Sequence, residues 1–101
     1  MTNKYKYYLK LNGEWIGEFD SLEIAKNCFN DLVEKFKEYK VIENNENEII
    51  MLDIIPFVEG TRDAAPLHGN LGHCRFKYST WEQLKIEFYE EYPEYITKTS
   101  N

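Results

Sequence analysis

The 101-residue chain predicts an α+β domain of order ββαββα, a four-stranded, mainly antiparallel sheet with two helices packed on one face. Three observations carry that prediction. Two β-rich runs, Lys4–Leu11 and Glu14–Phe19, flank Asn12-Gly13, the strongest short-range hairpin signal a sequence offers. Two stretches with apolar residues at three- and four-residue steps follow the capping residues Asp20-Ser21 and Ser79-Thr80. Between them, Glu48 to Val58 is the most apolar run, with both parities apolar apart from Asp53, as suits a central strand covered on two faces. A chain this long supports one hydrophobic core, so 1–101 reads as a single domain. Its parts are a hairpin plus first helix (4–40), a central strand (48–58), a long loop (59–71), a strand plus second helix (72–92) and a tail (93–101).

The hairpin register follows from keeping like with like on each face. A bare two-residue turn sets Lys10 opposite Trp15 and Leu11 opposite Glu14, mixing charge with apolar groups. A three-residue loop, Leu11-Asn12-Gly13, with Gly13 left-handed in a bulge, instead pairs Leu9 with Trp15 and Tyr5 with Phe19 on an inner face. Tyr8 and Ile16 then share the outer face with Lys6 and Glu18. The first helix starts at Asp20 or Ser21, Asp20 with Glu23 fitting a capping box. Its stripe is Ala25, Cys28, Phe29, Leu32, Val33 and Phe36, and it ends near Lys40, where lysines favour the helix dipole. Pro56 lacks an N–H and is expected to end regular pairing of the central strand. Gly72–Tyr78 alternates, with Cys74 and Phe76 on one side and His73, Arg75 and Lys77 on the other. Ser79 with Glu82, or Thr80 with Gln83, caps the second helix, whose stripe is Trp81, Leu84, Phe88 and Tyr92 before Pro93 stops it. The tail is expected to fray or pack loosely.

Composition excludes some function classes. The net charge of −6 is uneven: residues 1–40 hold seven Lys against seven Asp/Glu, and 41–101 hold five Lys/Arg against eleven Asp/Glu. Such a balance repels phosphate backbones, so direct nucleic-acid binding is not expected, whereas a protein partner with a basic surface is. No run approaches the roughly 20 apolar residues of a membrane span, and Met1–Tyr5 opens no apolar signal segment. With Cys28 and Cys74 far apart and no disulfide framework, a reducing, cytoplasmic location is the simplest reading.

Several groups of residues bear on chemistry or recognition. On the second helix, Ile86 lies off the apolar stripe among Glu82, Tyr89 and Glu90, a pattern suited to a basic, partly apolar protein target. On the outer sheet face, Tyr8, Ile16, Ile49, Met51 and Ile55 form an apolar patch that needs a cover, a second copy in a homodimer or a partner. The loop from Gly60 gathers Arg62, Asp63, His68, His73 and Arg75, which would suit a small anionic ligand such as a nucleotide, although no Walker or dinucleotide motif is present. Cys28, His68, His73 and Cys74 match no zinc spacing. His73 and Cys74, adjacent on a strand, point to opposite faces and make no catalytic pair, and Asp53, Glu90 and Glu91 have no reason to converge. Neither a catalytic residue, a metal nor a cofactor is therefore expected. In size, acidity and lack of catalytic motifs the chain is similar to small accessory proteins of phages and mobile elements and to immunity proteins, a likeness of composition that carries no residue across. The leading expectation is a non-enzymatic protein-binding module, an inhibitor blocking a basic effector surface. The alternative is sequestration of a small anion by the 60–75 loop.

Overall fold

The computed structural model describes residues 5–41, 48–58 and 71–97. Four strands, β1 (Tyr5–Leu11), β2 (Glu14–Phe19), β3 (Ile49–Val58) and β4 (Gly72–Lys77), form one antiparallel sheet in the order β2-β1-β3-β4. The helices are α1 (Leu22–Lys35) and α2 (Trp81–Glu91). One core joins Leu9 and Leu11 of β1, Ile50, Leu52 and Ile54 of β3, and Cys74 and Phe76 of β4 to Ala25, Cys28, Phe29 and Leu32 of α1 and Leu84 and Phe88 of α2. Strand alternation therefore sends one set of side chains toward both helices, and among the described residues no helix lies on the opposite sheet face. The predicted ββαββα order and α+β class hold. Among the described residues, no helix is long and apolar enough to cross a membrane.

The hairpin register differs from the predicted one. Leu11 pairs with Glu14 across a two-residue turn, with Asn12 at φ 54° and Gly13 at φ 82°. Both central positions are left-handed, which is what an Asn-Gly turn of the hairpin type requires. The extra residue sits inside β2: Leu9 faces Gly17 and Lys10 faces Trp15, so Ile16 is bulged. Ile16 is thereby turned into the core, 1% exposed, and Trp15 out of it. The charge mixing that disfavoured this register is relieved locally. Lys10 lays its ammonium 5.4 Å from the Trp15 ring centre, and Glu14 reaches Lys85 of α2 at 3.3 Å.

In β3, Pro56 does not end the pairing: it stands opposite Tyr7, and the ladder runs on to Tyr5 and Val58. Asn12 N–H bonds Met51 C=O at 2.8 Å, which sets odd residues of β3 bonding to β1 and turns the Pro56 nitrogen the other way. On that side the β4 ladder stops at Gly72 opposite Ile54, so the missing donor costs no ladder bond.

Of the helix ends, the start of α1 is as expected, and the end of α1 and the start of α2 differ. Ser21 is the α1 cap, accepting from Ile24 N–H at 3.4 Å, and α1 gives way after Lys35 to a 3₁₀ turn, Lys37–Tyr39. A 3₁₀ turn, Tyr78–Thr80, also leads into α2; the Thr80 hydroxyl donates back to the Lys77 carbonyl instead of capping the helix. The start of the tail is packed, contrary to the expected fraying. Tyr95 stacks on Phe19 with ring centres 5.0 Å apart, Ile96 bridges Gly17, and Thr97 N–H donates to Ile16 C=O at 3.1 Å.

Candidate functional site

Burial of Leu84 and Phe88 fixes the rotation of α2 about its axis, and Ile86, two residues from each, is driven to the far side. Ile86 is 52% exposed, the most exposed large apolar side chain among the described residues. Glu82, Ile86 and Glu90, at i, i+4 and i+8, form one exposed ridge. Nearby lysines are committed elsewhere. Lys85 bonds Glu14 and lies over the Trp81 ring at 5.4 Å, while Lys35 bonds Glu87 at 2.6 Å and Asp31 at 3.5 Å. Neither Glu82 nor Glu90 has an ion-pair partner among the described residues. Tyr89 is half-buried, its ring edge-on to Phe88 at 6.0 Å, so it borders the ridge without standing out from it.

The outer sheet face keeps part of the predicted apolar patch. Ile16 is not in it, because the bulge turns it inward. Tyr8 is on that face yet 6% exposed, its ring 4.5 Å from Trp15 and 5.5 Å from Phe57. Ile49 and Ile55 are half-buried, and Met51 is 43% exposed. A cross-strand row, Trp15-Lys10-Asp53-His73, crosses all four strands, with His73 Nδ1 2.7 Å from Asp53 Oδ1. Among the described strand residues, Lys6, Lys10, Arg75 and Lys77 share the face with Glu18 and Asp53 as its carboxylates, a cationic surface on a chain of net charge −6. Composition by halves concealed this, since β4 draws its basic residues from the acidic half.

Of the predicted anion-binding loop, Arg62, Asp63 and His68 lie outside the described residues. His73 and Arg75 are on β4, and they meet a residue the sequence did not associate with them. After the 3₁₀ turn that follows α1, Lys40 bridges Phe76 and Val41 N–H donates to Arg75 C=O at 2.9 Å. Lys40 is thus laid along the outer edge of β4. Lys40, His73 and Arg75 line a cleft of about 410 Å³ together with Phe29, Val33, Val41 and Cys74. The sequence carries little signal for this: the α1 stripe is expected to end near Lys40, and nothing at Lys40-Val41 marks a partner for β4.

Burial disfavours the reactive thiolate form at both cysteines. Cys28 and Cys74 are free and buried, and burial pushes both up, Cys28 to about 12. His73 faces Asp53 on the outer face while Cys74 belongs to the core, as strand alternation dictates. Among the described residues, no three His, Cys, Asp or Glu side chains gather to hold a metal ion. No family model, curated protein or solved structure matches this chain.

Proposed function

We propose that the chain is a non-enzymatic protein-binding module that engages a basic, partly apolar partner surface through the α2 ridge. It acts as an inhibitor by covering that surface, in the manner of small phage-type or immunity proteins. The observation that carries this reading is Ile86, 52% exposed between Glu82 and Glu90, carboxylates without an ion-pair partner among the described residues. Burying the exposed half of such an isoleucine in a partner contributes about 1 kcal/mol, roughly half the value for a fully exposed side chain. Carboxylates on either side steer a basic partner in and reject an acidic one. Blocking a surface needs complementary charge and shape and no bond-making step. The outer sheet face is the weaker surface for pairing two copies. It has lost Ile16 to the core, and facing copies would oppose like cations, Lys10, Arg75 and Lys77 among them.

The test is affinity capture on the immobilised chain, with retained proteins identified and then measured singly. A basic protein is expected to bind in a salt-sensitive manner, and Ile86→Arg with Glu90→Lys to weaken it at least about tenfold, the factor that corresponds to ~1.4 kcal/mol. Retention indifferent to that double substitution would sink the reading. All three ridge positions are exposed, so the substitutions are expected to leave stability within about 0.5 kcal/mol.

A further inference from the structure

The surface that the α2 ridge suits, basic and partly apolar, has a counterpart on this chain's own outer sheet face. We propose that the ridge of one copy docks on the outer sheet face of a second copy, so that copies join head to tail. The inference rests on the ridge reading above and names one partner for that same surface.

The ridge presents Ile86, 52% exposed, between Glu82 and Glu90. The sheet face presents the same pattern with the charges reversed. Leu9, Leu11, Ile50, Leu52 and Phe76 point to the core, so their neighbours Lys10, Met51 and Lys77 point the other way. Met51 is 43% exposed and Lys77 is exposed, while Lys10 is half-buried with its ammonium over the Trp15 ring. The register sets these three in one line. Lys10 stands opposite Asp53, two residues beyond Met51, and Lys77 opposite Ile49, two residues before it. Strands β1 and β4 flank β3 on opposite sides, so the diagonal Lys10-Met51-Lys77 runs straight, in steps of roughly 8 Å. Glu82, Ile86 and Glu90 advance along α2 in steps of about 6 Å. The flexible lysine stems take up the difference. Ile86 then meets Met51 while each carboxylate meets an ammonium. Arg75, directly across from Met51, adds a third cation, and the Asp53 carboxylate next to Lys10 is turned to His73 at 2.7 Å.

Charge selects this pairing over the symmetric ones. Two sheet faces oppose cations and two ridges oppose carboxylates, whereas ridge on face opposes unlike charges. The two surfaces lie on opposite sides of the molecule, because α2 packs on the sheet through Leu84 and Phe88 while Ile86 points away from it. Each contact therefore leaves one ridge and one face unused, which builds open rows and not a closed dimer.

Sedimentation equilibrium of the intact chain tests this. The parent's mass is expected to rise past that of a dimer at concentrations up to roughly 1 mM. Glu82→Lys with Glu90→Lys, and separately Lys10→Glu with Lys77→Glu, are each expected to weaken association at least about tenfold. The ridge variant brings the net charge of −6 nearer zero, so its loss runs against the general repulsion between copies. Met51→Glu, at an exposed position that leaves Lys10 on Trp15, is a second face variant with the same expected loss. Lys26→Glu with Lys37→Glu changes the net charge as the lysine face variant does, at exposed positions outside both surfaces. It is expected to associate at least about tenfold more tightly than that variant. Mixing the ridge variant with the lysine face variant is expected to recover association, because contacts between unlike variants again pair opposite charges. A parent that stays monomeric, a mass that levels off at a dimer, association unchanged in the ridge variant or in Met51→Glu, or a mixture that recovers nothing would each overturn the proposal. The face variants keep the ridge, so a basic protein captured through it is expected to bind them as it binds the parent. A monomeric parent that still captures such a protein sinks the head-to-tail contact and leaves the ridge reading standing.

Discussion

An ideal Cβ at Gly17 would stand 2.7 Å from Cζ of Phe88 and 3.2 Å from both Leu9 Cβ and Phe19 Cε2. The Phe88 ring of α2 packs directly on Gly17 of β2, and the bulge at Ile16 is what turns Gly17 inward. Gly17→Ala is therefore expected to destabilise the fold by about 1–3 kcal/mol, the usual cost of overpacking, read from the midpoint of urea unfolding at unchanged slope. Thr97 makes the opposite case. Its hydroxyl is buried with no partner among the described residues, although its N–H is bonded to Ile16. Thr97→Val removes the orphaned group at nearly the same shape and is expected to raise stability by about 1 kcal/mol in the same assay. These residues also show what sequence could disclose. A glycine inside a strand is a known mark of a bulge or a close approach, so Gly17 was legible in kind. The choice between a bulge at the turn and one in the strand was not, because it depended on whether Lys10 could lie on Trp15 and Glu14 reach Lys85, contacts that exist only once both strands and α2 are placed.

Between elements, the two helices are joined by a polar clamp at the edge of the core. Tyr92, at the end of α2, donates its hydroxyl to Asp31 Oδ2 of α1 at 3.0 Å, and Lys35 of α1 reaches Glu87 of α2 at 2.6 Å. Burial, helped by the bond to the Asp31 carboxylate, pushes the Tyr92 phenol up from 10.0 to about 12, and burial pushes the Cys28 thiol up from 9.0 to about 12. Each group becomes an anion on losing its proton, and the folded chain holds that proton more tightly than the unfolded one. Their contribution is therefore complete below pH 9 and is lost as pH rises through about 12. Alkaline destabilisation in that window is expected in urea titrations of the parent chain. Tyr92→Phe is expected to flatten it while costing about 1 kcal/mol near neutral pH for the lost bond. A parent curve level from pH 9 to 12, or one that Tyr92→Phe leaves unaltered, would contradict the clamp. The apolar stripes that set these helices facing one another were readable from their spacing. Their ends were less so. Ser21 served as a cap, but Thr80 spends its hydroxyl on Lys77, and α1 yields to a 3₁₀ turn at the point where Lys40 must swing onto β4.

At the scale of the whole molecule, a four-stranded open sheet has two edges, and each is met by a short bridging segment from elsewhere in the chain. Lys40 and Val41 lie along β4, and Ile96 and Thr97 lie along β2. Strand periodicity marks the existence of edges but not what covers them, so a tail with no repeating apolar pattern read as loose. Its attachment rests on single residues: Tyr95 on the Phe19 ring, Ile96 against Gly17 and the Thr97 amide on Ile16. A chain ending at Tyr92 keeps every residue of both helices and all four strands, yet leaves the Ile16 carbonyl without its donor and uncovers one side of Phe19. Exposed strand edges beside apolar surface pair with other chains. The truncated chain is therefore expected to be less stable by about 2–4 kcal/mol, from one lost backbone bond of ~1 kcal/mol and the lost burial of Tyr95 and Ile96. It is also expected to self-associate with rising concentration in light scattering, where the parent does so less. Restoring only residues 93–97 should return both properties, because Tyr95, Ile96 and Thr97 make the contacts just described. If truncation leaves the unfolding midpoint and the scattering mass unchanged, the tail is not what closes the β2 edge.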